Sequence, residues 1–174
     1  MQRCAVALAV GFIAGFLAAT VRAYPAAPVD YSRVIADSSW VFVGFAVDAG
    51  QAGPGAGDPV GDERSVMPQI VLKGPAVSKP VNIRVPGRTL GGVVWNDMPV
   101  LVPGAPYIFF LRQSEAGDWI PTEGAAGIRP LAAIRFDPVT GRIGLDVIDE
   151  PIVEPLRTLA AERSISVDYR PIDD

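Results

Sequence analysis

WVFVGFAV, residues 40–47, is the stretch on which the fold turns. Its side chains are β-branched, aromatic or small, and none is charged. Successive strand residues point to opposite faces, so both faces of this strand are apolar. A strand with one wet face alternates apolar and polar residues, whereas one apolar on both faces belongs in the centre of a closed or covered sheet. YIFFLR, residues 107–112, repeats the pattern after the turn Pro103-Gly104-Ala105-Pro106 and supplies a second core strand.

Weaker strands lie around these two. In residues 64–73, Val66, Ile70 and Leu72 alternate with Arg64, Gln69 and Lys73, and Pro68 marks a bulge or an edge. Residues 81–85, VNIRV, alternate and stop at Pro86 and Gly87. Trp119 and Ile120 begin a short pairing. Residues 131–136 and 142–145 flank a hairpin turn over residues 137–141, with Thr140 and Gly141 in it. Ile152, Val153, Leu156, Leu159 and Ala160 recur at helical spacing after Pro151, which predicts one C-terminal helix ending about residue 163. Upstream of the first strand, Asp30 or Ser32 caps a brief helix through Val34, Ile35 and Ala36. Short strands at steady spacing with little helix predict an all-β domain, a small barrel or a sandwich.

The 174 residues allow one ordinary domain. Residues 1–23 read as a secretory signal: Arg3, an uncharged apolar run from Cys4 to Val21, then Val21, Arg22 and Ala23 at the cleavage site. The alternative is an uncleaved anchor, because about 18 apolar residues reach the lower limit for a membrane span and Gly11 and Gly15 form a GxxxG pair. The division that follows is signal 1–23, leader and short helix 24–37, β-domain 38–150, and helix with tail 151–174. Export to the periplasm or exterior is the expectation.

Removing Arg3 and Arg22 from the 15 basic residues leaves 13 against 19 acidic ones, a formal charge of −6. The basic residues are scattered singly, so nucleic acid is not an expected partner. The one cysteine, Cys4, lies in the signal, and the exported domain has no thiol or disulfide. Cys4 also precedes the apolar run, so it is not a lipoprotein acylation site.

There is no histidine, which removes Ser-His-Asp and Cys-His hydrolysis and histidine-bound zinc. What remains for chemistry is carboxylates. Asp58, Asp62 and Glu63 read as solvated loop charges, with weak calcium binding as the alternative. Asp146, Asp149 and Glu150 read as charges that complement a helix N-terminus. Lys73 with Gly74 reads as a strand-end turn with a solvated lysine. The glycines and prolines of residues 49–62 form a flexible surface loop that leads into a strand and carries no Gly-Lys-Ser/Thr, so it is not a phosphate loop. No catalytic, metal or cofactor residue is expected.

One loop stands apart. Trp95 and Met98 sit beside Gly92, Asn96 and Asp97, where an apolar side chain has no strand face to hide on. Trp95 either caps an open barrel end or anchors a partner. Trp95, Asn96, Asp97 and Met98 are therefore the candidate binding residues, together with the glycine- and proline-rich loop after Val47.

The order of these segments resembles that of exported bacterial proteins with an OB-like barrel of the netrin-module type, related in architecture to tissue inhibitors of metalloproteinases. The likeness runs from Ser38 to Ile128 and rests on Val43, Gly44, Leu72, Lys73, Gly74, Val85, Pro86, Gly87, Pro103, Gly104, Phe110 and Leu111. It implies a small closed OB-like barrel of five to seven strands that offers a surface or loop rim to another extracytoplasmic protein and does no chemistry. The animal inhibitors reach a protease zinc through an N-terminal cysteine. This chain would begin at Tyr24, so that mechanism does not carry over. The alternatives are a hydrolase using carboxylates alone and a membrane-tethered envelope component.

Overall fold

Asp30 opens the first element: its carboxylate accepts a hydrogen bond from the Arg33 N–H at 3.2 Å and caps α1 (Tyr31–Asp37). Ser38 closes it, with its hydroxyl donating to the Val34 carbonyl at 2.7 Å and lying 2.9 Å from the Thr122 hydroxyl. The structure is a computed structural model and describes residues 28–47, 62–85, 89–90, 93–94 and 101–171. The N-terminal segment 1–23 lies outside the described residues.

The apolar run expected as the central strand is β1 (Trp40–Ala46). It pairs antiparallel with β2 (Asp62–Lys73) on one side and β6 (Pro106–Gln113) on the other. β2 pairs with β3 (Val81–Val85), β3 runs parallel to β7 (Trp119–Pro121) through Ile83 and Trp119, and β7 returns antiparallel to β6. The ring β1-β2-β3-β7-β6 thus closes on itself as a five-stranded barrel. Within the stretch expected as a long loop, β4 (Thr89–Leu90) and β5 (Val93–Val94) make a separate two-stranded pair.

Closure explains why β1 and β6 are apolar on both faces. Trp40, Phe42 and Ala46 point inward with Tyr107, Phe109 and Leu111, and meet Val66 and Ile83 in the barrel core. Val41, Val43, Ile108 and Phe110 point outward into a second core. That outer core is covered by α1, by α2 (Val153–Ala160) and by a sheet of β8 (Ile128–Phe136), β9 (Ile143–Val147) and β10 (Ile165–Tyr169). Each fully buried Phe or Leu in these cores contributes roughly 1.5–3 kcal/mol.

The predicted C-terminal helix is α2, extended by single 3-10 turns at Glu150–Ile152 and Ala161–Arg163, with Ile152, Leu156 and Ala160 fully buried. The segment after it, expected as a tail, is a strand: β10 pairs parallel with β9, and α2 is the crossover between them. Pro68 falls where the β1–β2 register shifts, opposite Gly44, which is the bulge the proline foretold.

Candidate functional site

The strand ends decide what the barrel can present. β1 finishes at Ala46, β2 begins at Asp62 opposite Val85 at the end of β3, and β6 begins at Pro106 opposite Phe45. All four termini therefore lie at one end of the barrel. The glycine- and proline-rich segment joins Val47 to Asp62, and the segment with the candidate binding residues joins Val85 to Leu101, so both are anchored at this one rim. Trp95, Asn96, Asp97 and Met98 themselves, and residues 48–61, lie outside the described residues.

The described rim is tightly tied. Val47 donates to the Ser65 carbonyl at 2.9 Å, and Gly104 donates to the Ala46 carbonyl at 3.0 Å. Residues 102–105 form a turn closed by Ala105 N–H on the Val102 carbonyl at 3.1 Å, with Pro103 second and Gly104 third. Gly104 has φ +77°, the conformation that this turn type asks of its third residue. Tyr107 adds its hydroxyl, which accepts from the Val102 N–H at 2.8 Å. On this scaffold Val47 and Val102 stand about half exposed, at 50% and 53%.

The barrel interior is full. An aromatic column runs from Trp119 to Trp40 (5.0 Å between ring centroids), to Phe42 (4.6 Å), to Phe109 (4.9 Å) and to Tyr107 (6.0 Å). Trp40, Phe42 and Phe109 are inaccessible to solvent or nearly so. Trp40 is core and Trp119 half-buried beside it. A small barrel filled in this way leaves its outer surface and rims for recognition.

The carboxylates are placed differently from the sequence reading. Of the trio read as helix N-terminal charges, Glu150 lies in the first helical turn and Asp149 at its N-cap, where its side chain makes no capping bond, whereas Asp146 is elsewhere. Asp146 sits on β9, almost fully buried, with both oxygens held by Arg135: Nε lies 2.9 Å from each, and Nη2 2.7 Å from one. The same guanidinium reaches Asp168 at 2.6 Å, so it joins three neighbouring strands. Asp149 accepts from Arg129 at 2.5 Å and from the Tyr31 hydroxyl at 3.0 Å, which fastens α1 to the end of β9. Oxygens committed to guanidinium bonds of this kind hold sheets and helices together. Glu63 accepts from Asn82 across the β2–β3 pair at 2.5 Å, and Asp58 lies outside the described residues. Among the described residues, no group of three or more acidic, histidine or cysteine side chains is arranged to hold a metal.

Lys73 ends β2 and Gly74 turns the chain at φ +91°, as expected, but the amine is bonded within the fold. The lysine is not solvated: Nζ donates to the Ile35 carbonyl at 2.8 Å and the Ala36 carbonyl at 3.2 Å. It neutralises the negative end of α1, a favourable placement for a cation. Only the docking of α1 against β2 brings these groups together, and no local pattern announces it.

Among the described residues, no helix is long and apolar enough to cross a membrane. No protein-family model, curated protein or solved structure matches the chain.

Proposed function

We propose that this chain is an exported, non-catalytic binding module that recognises another extracytoplasmic protein at the rim where both long loops are anchored. The observation that carries this reading is the convergence of the two loop attachments, Val47 to Asp62 and Val85 to Leu101, on one end of a barrel with a filled interior. A rigid frame with loops at one end is a common way to present contact residues. The half-exposed Val47 and Val102 add apolar area there.

The OB-like reading is supported by the ring order. β1 pairs with both β2 and β6, and β3 pairs with the last barrel strand, β7, in parallel. That is a five-stranded Greek-key closure of the kind OB barrels use. Export is supported by the N-terminal layout of Arg3, the apolar run and Ala23.

Replacing Trp95 by alanine is expected to weaken capture of the partner roughly tenfold or more, the loss usual for a central aromatic anchor. The melting temperature should stay unchanged. Capture on the immobilised domain, with wild type and variant side by side, makes the check. Equal capture by both, or unfolding of the variant, would count against the rim.

A further inference from the structure

We draw no further inference here: the strongest candidate, the groove between α1 and α2 lined by Ser32, Ile35, Pro155, Thr158 and Leu159, is a partly apolar surface hollow, and nothing in the structure shows what covers it.

Discussion

Replacing Gly44 by alanine is expected to destabilise the domain by about 3 kcal/mol, the upper range for forcing extra volume into a packed core. A Cβ built on Gly44 would lie 2.4 Å from the Met67 carbonyl oxygen and 3.2 Å from the Phe42 ring. The oxygen belongs to the backbone of β2, the neighbour of β1 in the closed ring, and cannot withdraw without breaking the β1–β2 pairing. The register shift beside Gly44 marks where β1 bends to follow the barrel, a usual place for a strand glycine. Thermal unfolding should show a fall of roughly 10 °C. Gly117, in the turn after β6, makes the contrast. Its φ is +88° but a Cβ there meets nothing within 4 Å, so alanine should cost only about 1 kcal/mol. Equal losses at the two positions would show that the close approach at Gly44 does not limit closure.

Alkaline titration should weaken the docking of α1 through Tyr31. Its phenol is pushed up to about 12 from the model-peptide 10.0, first by burial, with Arg129 opposing and the neighbouring Asp149 carboxylate adding to the rise. The folded state therefore holds the phenol proton more tightly than the unfolded chain does. The resulting stability is fully present below pH 10 and is lost as pH rises from 10 through 12. At neutral pH, Tyr31→Phe should cost about 1 kcal/mol, the worth of the hydrogen bond to Asp149. By pH 11 the wild type should have lost roughly 1.4 kcal/mol relative to that variant, so its advantage disappears. Urea unfolding of both proteins at pH 7 and pH 11 reads the difference, and a constant gap would show that Tyr31 does not titrate with unfolding.

Much of the fold was legible because its signals are local. The doubly apolar runs at residues 40–47 and 107–112 identified the two strands that face a core on each side, and Asp30, Pro68 and Pro151 marked a cap, a bulge and a helix start. Ring closure was not legible from periodicity, since a covered sandwich strand and a barrel strand carry the same pattern. The closing contact, Ile83 beside Trp119, joins segments that share no local signal. β10 was not legible because ISVDY is five residues of weak alternation directly after a helix, and its place beside β9 depends on the crossover through α2.

The charged residues were the least legible. Lys73 ends at the carbonyls of α1, Asp146 lies under Arg135, and Asp149 bonds Tyr31 across more than a hundred residues of chain. Each partnership exists only in the packed molecule. Trp95, Asn96, Asp97 and Met98 were singled out for side chains with no strand face to occupy. What the fold adds is the shared rim at which their segment and the glycine- and proline-rich one are attached.

The most direct measurement is the N-terminal sequence and intact mass of the product in each fraction of a bacterial host that expresses the full chain. The account predicts a soluble extracytoplasmic species that begins at Tyr24. A membrane-bound species retaining Met1, or a full-length cytoplasmic one, would contradict it.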